Sequence, residues 1–358
     1  MPLRSHCACG VDTHAHVIPF EFPSFLGGAA PSGWPSMAPV DACHRQVIID
    51  GKNYRTVSDK CWTTSRRLAD FADMGLALQA ISPMPELLSY WLKAADAAVL
   101  VRYLNDQIAA MVAESGGQLI GLGAVPLQDI DLAIKELEYL RQTPGFAGVE
   151  IGSNINGMVM GDPRLDPFFE ACEALDMAVF VHALRPTGMD RLMGPPPLQQ
   201  VLAYPTDVGL AAASVLTSNL ILRRPRLRMA FSHGGGTLAM LLPRLEQAIS
   251  VFPALRESVR QSPTAQARQF FYDTLVFDDA TLKHLVHCFG DTQLMIGTDY
   301  PFNFHDAKPV ARLEAASLTS DALQRMTASN ASRFLGLPIP ITATTTTPPT
   351  SNPRPPTT

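Results

Sequence analysis

Two histidines separated by one residue open the chemistry of this chain. Asp12-Thr13-His14-Ala15-His16 lies within an apolar run, Gly10–Val17. Residues two apart on a strand face the same side, so both imidazoles point together. One histidine turned into a core is commonly structural. Two in step each need a buried hydrogen-bond partner, and a shared metal ion satisfies both nitrogens at once. Three other runs end in a group of the same kind: Phe180-Val181-His182, Phe231-Ser232-His233 and Gly297-Thr298-Asp299. Imidazole and carboxylate donors without thiolate suit Zn²⁺, with Mn²⁺ as the second choice. His14, His16, His182 and Asp299 are therefore the expected ligands of one catalytic divalent ion, and Asp299 also joins His233 as a catalytic residue. Such a site has room for a bound water whose pKa the metal lowers, or for a substrate oxygen. His233 is kept off the metal. Three glycines follow it, where backbone approaches a ligand closely, and a free imidazole suits proton transfer near neutral pH. The alternative is that His233 holds a second ion.

The residues around these groups refine the count of metals. A dinuclear hydrolytic site often carries a bridging carboxylated lysine at the end of the fourth strand. Here that run reads Ala147-Gly148-Val149-Glu150-Ile151, without lysine. Mononuclear chemistry is favoured, with Glu150 either a bridge to a second ion or a partner behind a ligand histidine. His6, Cys7 and Cys9 lie close together before the first motif, as a second metal site or, more simply, an irregular N-terminus.

The elements that must position these groups recur in order. Eight β-type runs, Gly10–Val17, Leu76–Ser82, Gln118–Pro126, Ala147–Asn154, Met177–Leu184, Leu227–Gly234, Phe270–Phe277 and Gln293–Pro301, alternate with helical patterns. Asp129–Gln142 is one such helix, with Ile130, Ala133, Ile134, Leu137 and Leu140 at helical spacing. Others are Leu165–Leu175, Thr237–Val251 and Asp279–Phe289. Strand–helix alternation implies a parallel sheet, and eight repeats predict closure into a (β/α)₈ TIM barrel, residues 1–340, with catalytic groups at the strands' C-terminal ends. No G-x-G-x-x-G loop supports an open doubly wound sheet instead. Residues 18–62 exceed a normal loop and predict an inserted hairpin turning at Gly51, near the active-site mouth. Residues 341–358, almost all Thr and Pro, predict a disordered tail.

Composition excludes several functions. The chain has 358 residues, 47% hydrophobic and 17% charged, with 28 basic and 33 acidic residues. That balance supplies a large core, and a net charge of −5 without a long basic run makes nucleic acid an unexpected partner. The six cysteines show no framework spacing and read as reduced thiols. There is no signal-like apolar region and no run long enough to span a bilayer. The cytoplasm is the expected compartment, and no organic cofactor motif is present.

The strings Gly51-Lys52, Tyr54-Arg55, Cys61-Trp62, Ser89-Tyr90-Trp91, Gly121-Leu122-Gly123, Phe231–Gly236 and Gly297–Phe302 resemble, in order and spacing, the amidohydrolase-related metal-dependent decarboxylases, and within them the 2-amino-3-carboxymuconate-6-semialdehyde decarboxylase subgroup. The resemblance runs from Val11 to about Leu337. It implies zinc on His14, His16, His182 and Asp299, and an acid/base role for His233. It also implies that Arg55 grips a substrate carboxylate and that Arg244 does so from the neighbouring subunit of a homodimer. Read without the family, both arginines are ordinary surface charges, although guanidinium suits bidentate carboxylate binding. The sequence departs from the subgroup after the fifth strand. His182-Ala183-Leu184-Arg185-Pro186 stands where those relatives read on from the histidine with Pro-Trp-Asp-Met. Arg185 is then either a contact for a further acidic group of the substrate or a rim residue.

The expected activity is non-oxidative decarboxylation of a small unsaturated or aromatic carboxylic acid. The alternatives are hydrolysis or hydration of a lactone, amide or activated double bond by the same site, and a silent barrel serving as a scaffold. Fold alone does not separate them; evolved CO₂ against uptake of water does.

Overall fold

A computed structural model describes residues 9–26 and 28–338. His6, Cys7 and the Thr/Pro-rich tail from 341 to 358 lie outside the described residues. Eight parallel strands form the frame: β1 (Gly10–Asp12), β2 (Leu76–Pro83), β3 (Leu119–Gly123), β4 (Phe146–Gly152), β5 (Ala178–His182), β6 (Met229–Phe231), β7 (Phe271–Asp273) and β8 (Leu294–Met295), each paired with the next in this order. Parallel bridges Asp12–Ile296 and Ala15–Tyr300 join β8 back to β1, with His16 N–H donating to the Tyr300 carbonyl at 2.7 Å. The expected barrel is present. Several strands are shorter than their apolar runs, because the chain leaves the ladder once it reaches the mouth. After β1, for example, the His14 amide turns to the Asp12 side chain at 3.1 Å.

Alternation along each strand divides the core into two layers. On β5, Val179 and Val181 face the surrounding helices, while Ala178 and Phe180 belong to an inner cluster with Val11, Ala230 and Met295. The helix Asn330–Leu335 packs Ala331, Phe334 and Leu335 against that inner layer. His182, one step beyond Phe180 on the same face, is thereby placed at the opposite, C-terminal end. Helix starts follow local capping chemistry: Asp129 accepts from Leu132 N–H at the head of Ile130–Gln142, and Asp278 from Thr281 N–H at the head of Asp279–Phe289.

The insertion after β1 folds into an antiparallel sheet of Ser36–Pro39, His44–Ile49 and Lys52–Ser58. Its expected turn at Asp50-Gly51 has φ of 53° and 68°, the double positive φ that a two-residue type I′ hairpin turn requires. The third strand, Ser36–Pro39, was not legible, being short and ending in proline at an edge. Val47 pairs with Arg55 and Ile48 with Asn53, which leaves Tyr54 as an extra, bulged residue. Bulges re-aim side chains, and here Tyr54 and Arg55, neighbours in sequence, both face the same cavity.

Phe180 is fully buried and its ring centroid lies 5.1 Å from that of His14. Phe180→Ala is expected to destabilise the fold by about 3–5 kcal/mol, as read by urea denaturation; a cost under about 1 kcal/mol would mean that this layer does not support the site.

Candidate metal centre and active site

Four ligand atoms, one each from His14, His16, His182 and Asp299, all lie within 4.8 Å of one another at the C-terminal mouth. Each histidine spends its Nδ1–H on an oxygen that only accepts: His14 on Asp273 Oδ2 at 2.7 Å, His16 on the Pro83 carbonyl at 3.1 Å, His182 on the Ala183 carbonyl at 2.8 Å. This assignment leaves three bare Nε2 lone pairs. His14 Nε2 and His16 Nε2 are 3.2 Å apart, Asp299 Oδ1 is 3.1 Å from His16 Nε2, and His182 Nε2 is buried without a hydrogen-bond partner. Converging lone pairs repel unless a cation accepts them, so the donor set fits a divalent ion.

The electrostatics carry the same demand. Burial alone would raise Asp273 and Asp299. Hydrogen bonds and charge from the histidines, His14 for Asp273 and His16 for Asp299, instead hold both below the usual carboxylate range. Burial pulls His16 and His182 down, while at His14 the carboxylates, Asp273 foremost, override burial and push the ring up to about 9, so that a cation taking the His14 Nε2 lone pair would displace a proton from it. The buried Asp273 and the largely buried Asp299 among these imidazoles call for positive charge, which a proton or a metal ion supplies. Glu150 differs: burial, only partly opposed by the Ser82 hydroxyl at 2.6 Å, pushes it up to about 8. It lies behind His16, 3.7 Å from Nδ1, rather than among the four converging groups.

Asp273, at the end of β7, was missed in the sequence. Besides His14, its carboxylate accepts from the amides of His233 at 2.9 Å, Gly234 at 2.7 Å and Leu275 at 3.0 Å. One side chain therefore fixes both a metal ligand and the backbone of the His233 turn. The available signal was its position, an acid closing the seventh apolar run as Asp299 closes the eighth. Gly297 leaves the space Asp273 occupies, since a Cβ there would lie 2.5 Å from the Asp273 Cβ. Below the site, Gln79 and Thr298 donate to Asp12 at 2.8 and 2.6 Å, and buried Arg67 donates to Gln79 and to the His16 carbonyl, pinning the irregular stretch of chain after β1.

His233 stands beside the four ligands, with ring centroids 5.4 Å from His14 and 5.1 Å from His182. Its φ is 54° and that of Asp299 is 62°, left-handed backbone that non-glycine residues hold at a cost. Burial and the charge on His14 lower the His233 ring to about 4, so it is neutral near pH 7. A cavity of about 290 Å³ opens onto His182, His233 and Asp299, walled by Met84, Leu275, Phe277 and Phe302 and reached by Arg55, whose guanidinium lies 4.1 Å over the Phe302 ring. The other two expected arginines are elsewhere. Arg185 is not in the cavity wall; it pairs with Glu86 at 3.2 Å and stacks on Trp91. Arg244 is exposed on the helix Leu238–Val251 and does not line the cavity of its own chain.

The amidohydrolase family profile matches residues 11–337, spanning the whole barrel and all five mouth residues. This chain belongs to the amidohydrolase family. It is 34% identical over 329 residues to the 2-amino-3-carboxymuconate-6-semialdehyde decarboxylase of Dictyostelium discoideum, covering 91% of both chains. Its fold matches the crystal structure of the Metarhizium anisopliae IDCase with a TM-score of 0.78 at 22% identity, covering 92% of this chain and 97% of that one. A dihydroxybenzoic acid decarboxylase from Polaromonas sp. JS666, solved with bound manganese and 2-nitroresorcinol, matches with a TM-score of 0.69 at 20% identity, covering 76% and 86%.

Asp273→Asn removes the negative charge and one of the two acceptor oxygens that hold His14 and the His233 turn. Metal affinity, read by competition with a chromophoric chelator, is expected to fall roughly 10–100-fold, and unchanged affinity would assign Asp273 to the turn alone.

Proposed function

We propose that this chain is a metal-dependent, non-oxidative decarboxylase of a small unsaturated or aromatic carboxylic acid. The carrying observation is the four-ligand centre with His233 beside it at a largely apolar cavity that one arginine enters, in a family member whose Dictyostelium and Polaromonas relatives are decarboxylases. His14, His16, His182 and Asp299 hold the ion, zinc by the donor set, with manganese as the competitor because the Polaromonas protein binds it. When bound, the ion supplies a fixed positive charge that orients a substrate oxygen and withdraws electrons.

The residues do the rest. Arg55 holds a substrate carboxylate, and the apolar wall excludes water and so strengthens that contact. His233 takes a proton from a substrate hydroxyl or a water and delivers it to the carbon that bears the departing carboxylate, and a solvent proton then restores the hydroxyl or the water. The balance is R–COO⁻ plus H⁺ giving R–H and CO₂. The semialdehyde acid of the Dictyostelium relative is the first substrate to try.

Arg244 serves the neighbouring subunit of a homodimer in this reading. Met240, 73% exposed, shares its helix face at four-residue spacing, and Leu210 on the adjoining helix is also exposed, an apolar surface suited to a second copy. The cytoplasm remains the proposed compartment, supported by free thiols at Cys43, Cys61, Cys172 and Cys288; among the described residues no single helix is long and apolar enough to cross a membrane.

With metal analysis and CO₂ release as readouts, His182→Ala is expected to lose both metal and activity. His233→Ala should keep the metal and lose roughly 10²–10⁴-fold in turnover. Full turnover in His233→Ala overturns the proton-transfer role, and water uptake with all carbon retained overturns decarboxylation. Arg244→Ala and His233→Ala, each inactive, should recover activity when mixed and allowed to exchange subunits; no recovery would remove Arg244 from the neighbouring site.

A further inference from the structure

The cavity lined by Arg55 and the metal ligands also carries an acid. Glu86, in the short turn Pro85–Leu88 after β2, is a carboxylate that lines the cavity with a side chain 12% exposed. Two groups hold it. The bulged Tyr54 donates its hydroxyl to Oε2 at 3.3 Å, and Arg185 donates Nε–H to Oε1 at 3.2 Å. Burial and the neighbouring oxygens of Tyr204 and Glu86 push the Tyr54 phenol up, so it stays protonated and donates. Arg185 is itself pinned, its guanidinium 3.2 Å over the Trp91 ring. It sits outside the cavity wall, so its charge supports Glu86 from behind and leaves the front open.

A carboxylate offers about four lone-pair positions, and these two donors use two. The remainder face a cavity whose other walls include Met84, Leu275, Phe302 and Phe304, where an acceptor left unmatched by a bound ligand costs binding. We infer that Glu86 is a specificity-determining residue, accepting a hydrogen bond from an amino or hydroxyl substituent on the acid whose carboxylate Arg55 holds. The inference rests on the decarboxylase reading for the class of acid that enters the cavity. Tyr54 and Arg185 are positioning residues that fix the carboxylate. The residues following His182, where the sequence departs from its subgroup, thus act on specificity through Glu86 rather than by touching substrate.

The test uses the metal-loaded full chain and four probe acids: benzoate, 4-methoxybenzoate, 4-hydroxybenzoate and 4-aminobenzoate. Dissociation constants come from titration calorimetry and CO₂ release is followed in parallel. Wild type is expected to prefer the hydroxy and amino acids over the other two by roughly ten- to a hundredfold, the range for a hydrogen bond to a charged group. Glu86→Leu should bring that ratio close to one while still binding benzoate. Should the leucine variant not fold, Glu86→Gln, with a neutral acceptor of the same shape, should cut the ratio roughly threefold or more. The inference is overturned by a wild type without preference, by a preference that survives in both variants, or by equal loss for all four acids. If the preference depends on Glu86 but no acid loses CO₂, the decarboxylation reading falls and the specificity role stands.

Discussion

The hydrogen bond from His14 to Asp273 is the contact on which the site depends. It commits the Nδ1 proton, turns the Nε2 lone pair toward His16 and His182, and through the same carboxylate ties down the amides of His233 and Gly234. A metal ligand and the proposed proton carrier are thereby held in fixed relation by one buried anion. Burying that anion is costly unless charge and donors surround it, and four hydrogen bonds do so. The cation that the lone pairs call for completes the compensation, linking the barrel's upper layer to metal loading.

Around this centre the barrel separates stability from chemistry. Its lower interior is an apolar layer of Val11, Ala178, Phe180, Ala230 and Met295, closed by Phe334 and Leu335. Its upper layer is polar and strained, with positive φ at His233 and Asp299. Strain of that kind persists only where the surroundings over-determine it. The glycine run supplies part of that determination: a Cβ on Gly236 would lie 1.8 Å from the Pro205 carbonyl oxygen, so the chain after His233 is packed directly against the start of the helix Tyr204–Thr217.

The cavity wall comes from the insertion and the loops. A regular hairpin would turn Tyr54 and Arg55 to opposite sides; the bulge opposite Val47 and Ile48 brings both inward. Glu86, Arg185 and Trp91 then form a stack from the cavity outward. Selectivity in such a pocket arises from loop side chains and their supports, while the strand ends carry the chemistry shared with relatives.

What the amino-acid sequence determined by itself follows from local periodicity. Alternation on eight apolar runs gave the barrel, the spacing of His14 and His16 put both on one face, and histidine or aspartate at the run ends of β5, β6 and β8 marked the mouth. The Asp50-Gly51 turn was legible because only certain residues tolerate positive φ. Tertiary structure alone decided the rest. Asp273 gains its meaning from a partner 259 positions away, the bulge at Tyr54 depends on strand register, and Arg185 lies behind Glu86 because two loops meet. None of these is encoded in the spacing of neighbouring residues. They arise only when closure of the barrel brings distant strand ends within hydrogen-bond reach.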